Sequence, residues 1–415
     1  MNRLLKPFHG QSKNVIVLSF VSFFNDISSE SIARILPIFL RESANASFVA
    51  IGWIEGMADA LSIVLRLISG WIVDSFHKKK PFLILGYGLS ALLRPLFPTA
   101  IAQFDWVGAL ALKVGDRIGK AVRVVPRDAL IASETPRGKR GTGFGLNRML
   151  DTLGALVGIV IAAVILDFSS IGDKPGETLS PDLFRIIVLT ASVFGFVAVA
   201  LIIFGVKEHV VKKKSPAAIS TPLQGSIRDL PKPFFWYLCA VCIFSLAGSS
   251  DAFLILRLRS EGFSLSTTLW LIAGYNLLAA LTVYPISRLS DKLSGRQLPI
   301  LVGWIVYALT YLVFGLGSGT ITLSLAFIGY GLYYGFVEST EKALVADLVP
   351  KTHLGRAYGI FNFATGLMLL PANLIFGLIA DLYGFKAAFL TEAGFALMAA
   401  LGLAMIPRTS KTCKV

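Results

Sequence analysis

The stretch Asp116-Arg117-Ile118-Gly119-Lys120-Ala121-Val122-Arg123-Val124-Val125-Pro126-Arg127-Asp128 concentrates charge between long apolar runs. On a helix, Asp116, Lys120, Arg123 and Arg127 share one face. Hydrocarbon cannot solvate such side chains, so they must face protein or enclosed water. Charges held that way can bind an ionic solute or pass protons. A second set, Asn25-Asp26-Ile27-Ser28-Ser29-Glu30 with Arg34 a turn further on, stacks Asp26, Glu30 and Arg34 on one face. In a low-dielectric cavity such a carboxylate can trade a proton for a cationic partner or a substrate. Asp26 and Glu30 are therefore the first candidates for proton coupling or solute binding, with Asp59, Arg94, Asp116, Arg117 and Lys120 beside them. The alternative is a static ion-pair network tying the first helix to the fourth.

The elements that must hold these residues follow from composition. The chain has 415 residues, 55% hydrophobic and only 15% charged, with a mean hydropathy of +0.71. A soluble domain carries about a quarter charged residues. Apolar runs of roughly twenty residues, the length that crosses a hydrocarbon core of about 30 Å, recur from end to end. The expected fold is an all-α polytopic membrane protein with twelve transmembrane helices. The expected spans are 14–40, 49–73, 81–101, 105–132, 142–166 and 183–206, then 235–258, 267–290, 298–316, 321–348, 358–383 and 387–406.

The net charge of +14 would suggest nucleic acid on a soluble protein. Here Lys and Arg fall in alternate connections, from Lys78-Lys79-Lys80 through Arg137, Lys139 and Arg140 to Lys351 and Arg356. That asymmetry places both termini in the cytoplasm and leaves no domain for nucleic acid. The first apolar run is too long for a signal peptide and reads as a retained helix. The compact chain points to a bacterial inner membrane and to a monomer. Cys239 and Cys242 form a C-x-x-C inside an apolar run and read as buried small hydrophobes. The four histidines are scattered, so no metal site and no cofactor is expected. No Walker A loop, nucleophile elbow or H-E-x-x-H occurs, so the chain is not expected to be an enzyme.

The chain repeats itself. Ala129-Leu130-Ile131-Ala132, then Pro136, Gly141, Phe144 and Gly145, return 214 positions later as Ala343-Leu344-Val345-Ala346, Pro350, Gly355, Tyr358 and Gly359. The expected organisation is two pseudo-symmetric six-helix bundles, 1–206 and 235–415. They are joined by a cytoplasmic linker, 207–234, rich in Lys, Pro and Ser. Parallel repeats about a central site are a transporter design.

Gly70-Trp71-Ile72-Val73-Asp74-Ser75-Phe76-His77-Lys78-Lys79-Lys80 follows the second helix, and Asp291, Gly295 and Arg296 echo it after the eighth. This loop resembles the G-x-x-x-D-x-x-G-R-K pattern of the major facilitator superfamily, with His77 where the family often has Gly. With the repeated halves and central linker, the resemblance covers essentially the whole chain. It implies the MFS fold and alternating access by two rocking bundles. It also implies a cytoplasmic gate, for which the candidates are Gly70, Asp74, Lys78, Arg123, Arg127, Asp128, Arg148, Asp151, Asp291 and Arg296. The charged fourth helix resembles the family's Arg-bearing fourth helix, often tied to proton movement, and either Arg117 or Arg123 could match that arginine. Pro126 should bend or end this helix. Gly154 and Gly158 make a small-x-x-x-small pair for close packing. The Gly-Pro usual in the fifth helix of family exporters is absent, which leaves direction open.

The second half is less charged, and its cavity candidates are Asp251, Asn276, Tyr334, Glu338 and Asn362. Bases outnumber acids among the mid-membrane charges of the first half, a balance that favours an anionic group. The expected function is a proton-coupled secondary active transporter of a small organic solute bearing an anionic group: a metabolite, organic acid or siderophore. The alternatives are a multidrug/H+ antiporter and a transport-dead receptor or scaffold that kept the fold. Substrate, direction, coupling ion and stoichiometry are not legible in the residues.

Overall fold

The computed structural model describes residues 12–75, 79–135, 140–169, 178–207, 230–292, 296–337, 340–350 and 353–405. Every element among them is helical: α1 (Lys13–Glu42), α2 (Phe48–Ser75), α3 (Lys80–Leu93), α4 (Phe97–Glu134), α5 (Arg140–Phe168) and α6 (Pro181–Gly205). Then come α7 (Lys232–Ala247), α8 (Asp251–Ser260), α9 (Leu265–Lys292), α10 (Gln297–Leu316), α11 (Thr320–Val337), α12 (Thr340–Leu348) and α13 (Leu354–Ala404). A single 3-10 turn, Arg94–Leu96, joins α3 to α4.

Local sequence explains the starts. Ser12 and Ser180 cap α1 and α6 by accepting from the amides of Val15 and Leu183. Pro181 opens α6, where its missing N–H costs nothing. Nine segments among the described residues are long and apolar enough to cross a membrane. Two of them, Lys80–Glu134 and Arg356–Ala404, have 55 and 49 residues. Each could cross twice, and each is interrupted: at Phe104–Asp105 in α4 and at Gly384 in α13. Asp105 and Gly384 have φ of 51° and 81°. Phe168, Phe204 and Ile321 are almost fully exposed, as suits helices whose outer faces meet lipid chains.

Pro126 lies inside α4, which runs on to Glu134, so of the bend or end expected there the end does not occur. Two features depart from the sequence reading. The seventh span is not one helix, because α7 and α8 are separated at 248–250. The sequence Gly248-Ser249-Ser250-Asp251 accounts for this: Ser250 caps α8 by accepting from the Ala252 amide, and Asp251 sits in its first turn. Cys239 is exposed rather than buried, and Cys242 is intermediate; both are free thiols.

The chain divides into two compact units. The first comprises Met1–Ala46, Met57–Lys213 and Ser264–Trp270; the second comprises Ser47–Gly56, Lys214–Phe263 and Leu271–Val415. In the first, α1 packs against α5 and α6, and α3 against α4. Close approach rests on glycine. A Cβ on Gly154 would come within 2.3 Å of the Phe23 carbonyl, and one on Gly158 within 2.6 Å of the Ile27 carbonyl. The small-residue pair thus packs α5 onto α1 as expected. Gly86 and Gly119 face each other across α3 and α4 in the same manner. Leu18, Val21, Leu83, Tyr87, Leu130, Ile131 and Ile202 form the apolar core beside them. In the second unit α13 packs against α7 and α10. The repeated Ala-Leu-Ile/Val-Ala stretches bury equivalent residues, Leu130 and Ile131 in one unit, Leu344 and Val345 in the other.

Candidate functional site

A cleft in the first unit gathers most of the charged residues singled out above. About 630 Å³ of space not filled by protein atoms, open solvent included, lies within it. From α1 come Asp26, Ser29 and Glu30; from the 3-10 turn comes Arg94; from α4 come Lys113, Asp116, Arg117, Lys120 and Arg123. Ile32, Ala33, Leu36 and Phe97 supply apolar wall.

The spacing of α4 explains the arrangement. Positions 113, 116, 117, 120 and 123 recur every three or four residues and hence share a face. The glycine contact between α3 and α4 brings that face against the 3-10 turn, where Arg94 is 2% exposed. Arg94 holds Asp116 through Nε at 3.2 Å and Nη2 at 3.1 Å, and donates from Nη1 to the Asn25 carbonyl at 3.2 Å. One arginine therefore ties α1 and α4 together. Glu30 pairs with Arg34 at 3.1 Å, and Asp59 with Arg117 at 3.5 Å. Asp26 accepts from Asn25 at 2.9 Å, and its carboxyl neighbours those of Asp151 and Glu30 and the ammonium of Lys120.

Asp26, Glu30, Arg94, Asp116, Arg117 and Lys120 thus line one cleft, with Asp59 paired to a member of it. Arg123 belongs there as well. The sequence reading grouped it with the gate, at the Arg127 end of the helix, whereas the structure buries it in the cleft wall. Its Nη1 donates to Ser90 Oγ at 2.5 Å, and its guanidinium lies 4.5 Å from the centre of the Tyr87 ring. Lys113 was missed. Its signal was available, since it stands one turn before Asp116 and Arg117 on the same face.

Of the expected gate residues, Arg127 pairs with Asp128 at 3.0 Å, lies 4.0 Å from Asp151 and donates to Ser22 Oγ at 3.1 Å. Arg148 pairs with Asp151 at 3.5 Å, and Arg296 with Asp347 at 2.7 Å. The surroundings of Gly70, the side chains of Asp74 and Asp291, and the whole of Lys78 lie outside the described residues.

In the second unit, Asp251 accepts from three phenols: Tyr275 at 2.7 Å, Tyr330 at 3.2 Å and Tyr334 at 3.4 Å. The expected neighbours Asp251 and Tyr334 are therefore together. Asn276 uses its amide on the Ile272 carbonyl, Asn362 is exposed, and Glu338 lies outside the described residues.

Apolar helices of spanning length, enclosing a charged cleft that lipid cannot solvate, define a multi-pass membrane transporter. The chain belongs to the Major Facilitator Superfamily, whose sequence profile matches residues 18–269 and 252–413. It is 33% identical over 372 residues to an MFS-type transporter of Methanocaldococcus jannaschii, covering 88% of each chain. It is 22% identical over 390 residues to the multi-drug resistance efflux pump PmrA of Streptococcus pneumoniae, covering 91% of each. Among solved structures, the nucleoside transporter NupG superposes with a TM-score of 0.74 at 13% identity, covering 95% of this chain and 98% of the other. A D-xylose-proton symporter superposes with a TM-score of 0.71 at 15% identity, covering 96% and 98%. At these identities the structures establish the fold alone.

Proposed function

We propose that the protein is a proton-coupled secondary active transporter that moves a small organic solute with an anionic group by alternating access. The observation that supports this is the make-up of the cleft. Arg94, Lys113, Arg117, Lys120 and Arg123 stand against Asp26, Glu30 and Asp116, an excess of two positive charges in a site walled by apolar helices. A carboxylate or phosphate balances that excess, and the apolar wall takes the remainder of the solute. Asp26 is the proton carrier in this reading, because it lies among carboxyls and beside Lys120. Proton uptake at Asp26 removes the negative charge that competes with the solute's anionic group for Lys120, so proton and solute favour each other's binding, which couples the two fluxes. Arg127, Asp128, Arg148 and Asp151 form the gate, and the two repeated halves, 1–206 and 235–415, are joined by 207–234. The setting is an inner membrane with both termini cytoplasmic.

The likeness to an efflux pump supports a second reading, multidrug/H+ antiport. Proteoliposomes separate the two. Flux of a panel of organic anions and lipophilic cations is followed with and without a pH gradient, in wild type, Asp26→Asn and Arg117→Ala. The proposed function requires anion flux that responds to the gradient and loses that response in Asp26→Asn. Gradient-driven flux of cations in preference to anions establishes antiport of drugs instead. Flux of no solute under any gradient refutes both.

A further inference from the structure

The second unit buries a carboxyl group that the charged cleft does not use. Glu392, on α13, is 1% exposed. Its Oε2 accepts from Ser249 Oγ at 2.8 Å, while its Oε1 is buried without a hydrogen-bond partner. No Lys, Arg or His pairs with it among the described residues. The titratable groups that face it are Tyr307 and Tyr311 on α10, with Asp251 on α8 beyond them. The Tyr307 hydroxyl donates to the Ala247 carbonyl, and the Tyr311 hydroxyl is fully buried beside those of Tyr307 and Ser249. Glu392 Oε1 is therefore left without a partner close to the buried Tyr311 hydroxyl.

That place is the break between α7 and α8. The α7 C-terminus lies there, with the Ser245 carbonyl accepting from the Gly248 amide and the Ala247 carbonyl from the Ser249 amide, and it carries partial negative charge. Gly248 has a non-helical ψ of 57°. The Ser250 amide donates to Asn373 Oδ1 at 2.9 Å, which fixes the break against α13. A lone buried carboxylate, two hydroxyls and a helix C-terminus are all oxygen donors with one formal negative charge between them. An uncompensated carboxylate in such surroundings is strongly disfavoured.

We infer that Glu392, Tyr311, Ser249 and the α7 terminus form a binding site for a single monovalent cation, a proton or a sodium ion. One carboxylate is too little charge for a divalent ion, which takes several carboxylates. Oxygen ligands at a broken transmembrane helix suit sodium, and a proton on Oε1 makes the carboxyl a donor to the Tyr311 hydroxyl. The site lies wholly within the second unit and is separate from the Asp26 cleft.

The test uses full-length purified protein and needs no transported solute. Melting temperature is measured against sodium at constant pH with choline as the replacement cation, and against pH without sodium. Wild type, Glu392→Gln and Tyr311→Phe are compared. A sodium-dependent rise in wild type that is lost in Glu392→Gln assigns the occupant as sodium. A pH-dependent change without a sodium response, again lost in Glu392→Gln, assigns it as a proton. Tyr311→Phe keeps the carboxylate and should weaken the apparent cation affinity roughly tenfold, which carries the test should the glutamine variant fail to fold. Sodium and pH responses in Glu392→Gln equal to those of wild type, or unchanged affinity in Tyr311→Phe, overturn the assignment. Because the readout is binding, its failure leaves the reading of Asp26 untouched.

Discussion

Replacing Arg94 by Met removes the residue that joins α1 to α4. The side chain is 2% exposed, and Met fills much of its volume without charge. The loss comprises a two-atom contact with Asp116 and a bond to the Asn25 carbonyl. Breaking a buried ion pair from one side costs about 3–5 kcal/mol, because the other charge is stranded. Asp116 retains 16% exposure in the pair and has Arg117 and Arg123 nearby, so the lower end applies. About 3 kcal/mol is a hundredfold or more in the folded-to-unfolded ratio. The assay is unfolding of purified protein in detergent, arranged as a double-mutant cycle with Asp116→Leu. The expected result is that Arg94→Met is markedly destabilised, while Arg94→Met/Asp116→Leu recovers most of the loss. A single variant as stable as wild type, or a double variant whose loss is the sum of the singles, refutes the structural role of the pair.

Other perturbations have equally direct outcomes. Gly154→Ala places a Cβ 2.3 Å from the Phe23 carbonyl and should destabilise by about 1–3 kcal/mol. Gly145→Ala, with nothing within 4 Å of its Cβ, is the matched control, and equal melting temperatures for the two would contradict the packing of α1 on α5. Gly384→Ala also meets open space, but at φ 81° it should cost about 1–2 kcal/mol through backbone strain alone. A neutral result there would mean the turn inside α13 is formed differently. Arg123→Lys keeps the charge yet gives up the planar contact with Tyr87 and the bond to Ser90. Anion flux in proteoliposomes should fall while melting changes little, and undiminished flux would remove Arg123 from the cleft's working set.

The helices and the charged cleft were legible because membrane burial makes both signals loud. Apolar runs must be long to span, and charge among them must be enclosed, so Asp26, Glu30, Asp116, Arg117 and Lys120 declared themselves. What was harder to read was depth along a helix. Arg123 and Arg127 differ by one turn and share a face, and only the crossing at Gly86 and Gly119 sends the first into the cleft and leaves the second on Asp128 and Ser22. The break at 248–250 was missed because its flanks are as apolar as any continuous span, although Gly-Ser-Ser-Asp is a helix-start pattern. Glu392 was missed for a different reason. It is a lone acid with no charged neighbour in sequence, and Ser249, which bonds to it from the 248–250 break, and Tyr311, which faces it from α10, are distant in the chain.

The contact between Gly86 and Gly119 has a consequence for how such a transporter can change its cargo. Backbone rests on backbone there, with only the Arg123 Cβ and the Ser90 hydroxyl as close, so the distance between α3 and α4 is set by main chain and small groups. The spacing of α3 and α4 that presents Arg94, Asp116 and Arg123 therefore does not depend on the far ends of those side chains. Descendants of this chain can exchange charge or hydrogen-bonding pattern there as matched changes, Arg94 together with Asp116, while the scaffold that aims them stays in register. Altered solute choice then requires only surface edits inside the cleft.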